Sequence, residues 1–293
     1  MRILVCAKND LPANLACNRL CNDLGDAELT FWLSDITRPA EQSDSNLATM
    51  RFFERDLPNR WIFPLVEQGP ARSDRACLTF PELARRHDGA IRIVPSLRDP
   101  EIAAAMTALT PDLVISIRFS HIFPEPLIRI PRHGILNVHP GALPEYAGLF
   151  APFRQMLDGR RHLGCTVHRV DRGIDTGPVI SRQVLPVQRD RSLIWHVCNV
   201  YSPGVDALLD IVRDLKNGRT PLAESQNASK RHYHRLPTPA EFQQFRDRGF
   251  RLVDFGDYES LLQRYRADAS GLLGGLAHDR DQPDAAGSGR LTA

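Results

Sequence analysis

The chain has 293 residues, 42% hydrophobic and 25% charged, with a formal net charge of +2. That is the composition of an ordinary globular protein with enough chain for a large core, and it excludes collagen-like and low-complexity classes. So small a net charge gives no overall field to attract nucleic acid or an anionic membrane, and neither partner is expected.

In chain order, residues 2–7 form a short apolar run of strand formers. Leu15, Cys17, Leu20 and Leu24 follow at helical spacing, and Leu29 to Leu33 is again strand-like. The opening therefore predicts strand–helix–strand and a parallel sheet. Polar residues 37–46 read as a loop, Leu47 to Phe53 as a helical turn and Trp61 to Val66 as a short strand. Pro81 to Arg86 predicts a helix, Ile91 to Val94 a strand, and Asp99 to Leu109 a helix. Asp112 to Ile117 and Gly134 to Val138 are buried strands. Residues 150–159 read as a helix ending at Gly159, Thr166 to Val170 and Pro178 to Val187 as two strands around a turn, and Arg191 to Leu215 as one long helix. This rhythm gives an α/β fold with a doubly wound, mostly parallel sheet over residues 1–218. A small appendage over 219–266 has a basic, aromatic stretch from Lys230 to Arg235 and a helix from Thr238 to Arg248. A chain ending near Gly218 is expected to keep its sheet. Residues 267–293, rich in Gly, Ala and Asp, read as disordered.

The start MRILVCAKND breaks its apolar stretch at Lys8, so no signal peptide is expected. No stretch reaches the roughly 18 apolar residues of a membrane span. None of the six cysteines sits in a Cys-x-x-Cys pair, which predicts free thiols in a reducing cytoplasm and no bound metal.

Two segments carry chemistry. In the first, Asn137-Val-His139-Pro-Gly-Ala-Leu-Pro144 is followed by Glu145-Tyr146-Ala-Gly148. Period two on a strand puts Asn137 and His139 on one face at its carboxyl end. An amide beside an imidazole can stabilise a growing negative charge and exchange protons near neutral pH. Pro and Gly fix the loop around them. The second segment runs from Thr166 to Pro178 and breaks a strand into the loop Asp171-Arg-Gly173-Ile174-Asp175. Asp175 can orient an imidazole or accept a proton through water. Taken alone, each segment is also explained by ordinary loop caps and turn residues.

Together, Asn-x-His-Pro-x-x-Leu-Pro-x-x-x-Gly and the later Thr-Val-His and Asp-x-Gly-Ile-Asp-Thr-Gly resemble the folate-dependent formyltransferase family. Its members act on glycinamide ribonucleotide, methionyl-tRNA and nucleotide-linked amino sugars. The resemblance covers residues 80–215 well. It implies a Rossmann-like sheet and 10-formyltetrahydrofolate as co-substrate. It places the catalytic Asn, His and Asp on Asn137, His139 and Asp175. It places a pteridine pocket on Ser120, His121, Ile122 and Phe123, with the other wall at Val170, Asp171, Gly173 and Ile174. His168, Tyr146 and Gly148 are read as acceptor contacts. The implied activity is N-formylation of a small-molecule primary amine or hydroxylamine, with a homodimer through the tail as a possible assembly. Methionyl-tRNA is the alternative acceptor. From other classes come a formyltetrahydrofolate hydrolase and a non-catalytic folate-binding protein. Three departures stand out. The loop Ala7-Lys-Asn-Asp-Leu-Pro is not a glycine-rich phosphate loop. Gly141-Ala142-Leu143 replaces the usual Ser-Leu-Leu. No run of alternating strands after residue 218 suggests the OB-like module of tRNA formyltransferases.

Overall fold

The computed structural model describes residues 1–25, 27–69 and 76–266. The expectation for residues 267–293 lies outside them. Seven strands form one sheet in the order β3-β2-β1-β4-β5-β7-β8. β1 (Arg2–Lys8), β2 (Glu28–Ser34), β3 (Ile91–Ile93), β4 (Leu113–Ile117) and β5 (Ile135–His139) run parallel. β7 (His162–Arg169) and β8 (Val179–Pro186) add an antiparallel edge. A second ribbon pairs β6 (Ala147–Gly148) with β9 (Tyr233–His234).

The central strands are apolar on both faces because helices cover both. Ile3, Val5, Ala7, Leu113, Ile115, Leu136 and Val138 face one buried cluster. Leu4, Cys6, Val114 and Ile135 face the other. That is why these runs are continuous in the sequence rather than alternating. Five of the six cysteines are buried in these layers.

Residues 40–68 are helical apart from the extended cap Asp44, and this corrects the predicted loop and strand. Short helices Ala40–Ser43 and Ser45–Arg51 lead into two π-helical turns, Phe52–Asp56 and Pro58–Ile62, and then the helix Phe63–Gln68. Leu47, Met50, Ile62, Phe63 and Val66 turn inward at helical spacing while Trp61 is exposed. Pro58 and Pro64 have no N–H to close an ordinary helical bond, so the turns widen instead of ending. The long helix predicted from Arg191 is two, Leu193–Asn199 and Tyr201–Lys216. Pro203 removes a donor just after the break.

The segment after Gly218 contributes Phe242, Phe245, Phe250, Tyr258, Leu261 and Tyr265 to the same buried cluster as β1. Phe153 stacks on Phe245 at 4.8 Å and tilts against Phe242 at 5.0 Å. Losing one buried Phe costs about 3–5 kcal/mol, and a whole domain holds roughly 5–15 kcal/mol. A chain cut after Gly218 is therefore expected not to fold, contrary to what the composition suggests. Far-ultraviolet circular dichroism and a melt check this. An unchanged spectrum with a cooperative transition would restore the segment to an independent appendage.

Candidate active site

The strand register assembles the site. Asn137 on β5 pairs with His168 on β7, and His139 pairs with Thr166. Asn137 and His168 touch, with Nδ2 3.1 Å from Nε2. The Nδ1 of His168 lies 2.8 Å from the Arg169 carbonyl, so this nitrogen carries the proton. Nε2 then accepts one amide hydrogen of Asn137, and the second amide hydrogen is left for the cavity.

Asp175 closes the constellation although it lies far along the chain from His139. Its Oδ1 stands 3.6 Å from Nδ1 of His139 and 3.7 Å from Nε2 of His168. Its Oδ2 accepts the Gly148 N–H at 2.8 Å. Burial would raise this carboxyl group, but His139 and the Gly148 N–H outweigh it and hold Asp175 far below the usual carboxylate range. Asp175 also has φ of +54°, a left-handed conformation that Asp tolerates better than most residues.

His139 is buried, and its Nε2 donates to the Tyr146 carbonyl at 2.7 Å. Both ring nitrogens thus face oxygen acceptors, an arrangement that suits a ring able to carry positive charge. The Gly141 departure has a steric cause here. A Cβ at this position would lie 2.5 Å from the Tyr146 carbonyl and 2.7 Å from His139 Nε2. Gly148 has φ of +92° and pairs with His234 across the small ribbon.

One cavity of about 400 Å³ collects these groups. Asn137, His139, His168, Gly148 and Asp175 line it, as do Ser120, His121, Ile122 and Phe123 and the loop residues Val170, Asp171, Gly173 and Ile174. Tyr146 does not. Its ring stacks on His234 at 5.5 Å and its hydroxyl is held by Asp158 and Arg160, so its backbone, not its side chain, serves the site. The opposite wall is charged. Lys8, Arg38, Glu41, Arg51, Glu54 and Arg118 line it. Arg118 has φ of +59°, a strained conformation for such a residue, costing on the order of 1–3 kcal/mol. Ion pairs to Asp10 at 2.9 Å and Glu54 at 2.6 Å hold it there. Burial disfavours the Arg118 charge, but Asp10 and Glu54 more than restore it.

The formyl transferase family model matches residues 79–194, a span that carries Asn137, His139, His168 and Asp175. The methionyl-tRNA formyltransferase of Trichlorobacter lovleyi is 34% identical over 153 residues, 52% of this chain and 48% of that protein. Over this span the chain is similar to the folate-dependent formyltransferases. It spans about half the length of the curated relatives it matches. Glycinamide ribonucleotide transformylase 1 from Symbiobacterium toebii shares the fold with a TM-score of 0.53 at 18% identity, covering 78% of this chain and 94% of its own. So does a Helicobacter canadensis N-formyltransferase in complex with folinic acid and dTDP-3-aminofucose, with a TM-score of 0.52 at 16% identity, covering 83% and 78%.

Around the motifs that mark the formyltransferase family, the fold adds residues that the motifs do not reveal. Gln226 donates to the Asp175 and Gly177 carbonyls at 3.0 and 2.7 Å, and Arg231 donates to the Ile174 carbonyl at 2.9 Å. With β9 on β6, the C-terminal segment clamps both loops that hold His139 and Asp175. Nothing local in the sequence marks Gln226. Lys8 and Arg118 do have a signal, since each ends an apolar strand at the sheet edge where ligands bind in such folds.

Proposed function

We propose that the chain transfers a formyl group from 10-formyltetrahydrofolate to a primary amine or hydroxylamine of a small molecule, a nucleotide-linked amino sugar or an amino-acid derivative. The observation that carries this reading is the convergence of Asn137, His139 and Asp175 on one cavity. The cavity fits a folate. Its volume lies in the range of small-molecule sites, and Phe119, Ile122, Phe123, Val170 and Ile174 give it an apolar side. Ile122 and Ile174 are exposed there, apolar surface that a bound ring would cover.

When bound, the folate supplies an activated formyl carbon. Asn137 then donates its free amide hydrogen to the formyl oxygen, where negative charge grows. His139 contributes positive charge, and Asp175 holds that imidazole in place through Nδ1. Asp175 also takes part in carrying the amine's proton away through water. His168 fixes the amide of Asn137. A water acting in place of the amine would give the hydrolase reading, and a panel of acceptors separates the two.

The test is formyl-folate consumption with amino sugars, amino acids and charged methionyl-tRNA as acceptors, with the formylated product identified by mass spectrometry. Methionyl-tRNA is kept in the panel because the relatives carry that name. A stable analogue, 5-formyltetrahydrofolate, is expected to raise the melting temperature by about 5 °C or more at a hundred times its Kd. No shift at saturation would remove folate from the reading.

A further inference from the structure

The charged wall of the cavity is balanced, and this limits what it can bind. Lys8, Arg38, Arg51 and Arg118 each lie within ion-pair reach of a carboxylate: Asp10, Glu41, Asp56 and Asp10 with Glu54 respectively. A phosphate or diphosphate needs a surplus of positive charge or a free helix N-terminus. The nearest helix start, that of α1 (Leu11–Asn22), is already taken. Asp10 is fully buried there and accepts the Ala13 N–H at 3.0 Å. An internal carboxylate thus sits where an anionic ligand would otherwise be drawn.

One group in this wall is not used up, and a second is held ready beside it. Lys8 is only 8% exposed and lines the cavity, yet among the described residues its ammonium has just the loose contact with Asp10 at 3.7 Å. Arg118 spends Nε and Nη2 on Asp10 and Glu54 and also meets the Tyr201 hydroxyl, so its guanidinium is held in place at the cavity wall. Beside these donors Glu54, buried and lining the same cavity, offers an acceptor. Ammonium, guanidinium and carboxylate side by side match a ligand that itself carries both charges.

The sheet sets the distance from this cluster to the catalytic groups. Cys6 pairs with Ser116, and Ser116 with Asn137. Lys8, Arg118 and His139 each follow two residues later, near one level at the ends of β1, β4 and β5. Neighbouring strands lie about 4.8 Å apart, so β1 and β5 are roughly 10 Å apart. A side chain of three or four carbons spans that gap once protein side chains reach in from both ends.

We propose that Lys8, Arg118 and Glu54 bind the zwitterionic head of an acceptor amino acid, whose second, side-chain amine or hydroxylamine is formylated. The inference rests on the formyl-transfer reading above and narrows its substrate class. The ammonium of the head meets Glu54 and the carboxylate meets Lys8 and Arg118. At the other end the uncharged amine nitrogen bonds to the formyl carbon, the bond from that carbon to the carrier nitrogen breaks, and the amine's proton is lost while the carrier nitrogen gains one.

The experiment compares L-ornithine, its decarboxylated counterpart 1,4-diaminobutane and an amino-sugar nucleotide as acceptors, for the wild type and Lys8→Met. L-ornithine is expected to be formylated with a KM well below that of the diamine. Lys8→Met is expected to raise the KM for ornithine about ten- to a hundred-fold, the effect of one lost charge-assisted contact, and to erase the preference over the diamine. A retained melting shift with 5-formyltetrahydrofolate shows that the variant is folded. Equal use of ornithine and the diamine by the wild type overturns the inference. So does formylation of the amino-sugar nucleotide with ornithine inert, although the transfer reading then stands. If formate is released with no amine product, the transfer reading itself fails. In that case titration calorimetry of ornithine into the protein with 5-formyltetrahydrofolate decides the head site, and absence of heat overturns it.

Discussion

His139→Ala is expected to lower turnover by about a hundred- to a thousand-fold, the scale of one lost preorganised donor, while leaving the melting shift with 5-formyltetrahydrofolate in place. The imidazole acts on charge that grows during the reaction, so its removal falls on kcat more than on ground-state binding. Asp175→Asn should give a loss of its own, because the amide keeps the shape but loses the charge that faces Nδ1 of His139 at 3.6 Å. The double variant should lose far less than the product of the two single losses, since Asp175 works through His139. Single-turnover rates for the four proteins check this. Multiplicative losses would show that Asp175 acts separately, through the Gly148 N–H and the shape of its loop.

The same carboxylate leaves a mark on stability. Burial alone would raise its pKa, but His139 and the Gly148 N–H outweigh burial and depress the folded value. A depressed carboxyl group stabilises the fold above its unfolded value, about 3.9, and that contribution is lost as pH falls through the folded value. The melting temperature of the wild type is thus expected to exceed that of Asp175→Asn at pH 6, with the gap closing below pH 4. A gap that is constant down to pH 3 would mean that Asp175 is not held charged by its neighbours.

Much of the sheet was legible because its strands are buried on both faces. Runs such as Ile3–Ala7 and Leu113–Ile117 are almost wholly apolar and buried, with no polar face to blur them. Residues 40–68 misled because β-branched and aromatic residues around Trp61 mimic a strand, whereas widened turns around Pro58 and Pro64 let a helix continue. The C-terminal segment misled for another reason. Its polar composition is real on the outside, but Phe242 and Phe245 are fully buried on Phe153, a contact formed across many intervening residues.

That Asn137, His139 and Asp175 come together was legible through the two long motifs, and the place of Tyr146 was not. A motif shows that a residue matters but not which of its atoms serves. Here the carbonyl of Tyr146 positions His139 while its ring packs on His234, a partner that no local pattern supplies. Glu54 escaped because its link to Arg118 is tertiary, a strand end meeting a helical turn from elsewhere in the chain.

Asn137→Asp is expected to lower turnover more than Asn137→Ala does, by a further tenfold or about that. Alanine removes one donor and leaves His168 Nε2 without its amide partner. Aspartate adds a negative charge in a cavity that already holds Asp175 nearby, at the place where the formyl oxygen becomes negative. It also turns a donor into an acceptor, so His168 must give up the Nδ1 proton arrangement set by the Arg169 carbonyl or take a second proton to meet it. The two effects separate in a pH profile. If repulsion of the growing charge dominates, Asn137→Asp recovers part of its loss as pH falls and the new carboxylate is protonated, while Asn137→Ala gains nothing in the same range. Equal losses for the two variants at every pH would mean that Asn137 only spaces the strand ends, and that another group meets the formyl oxygen.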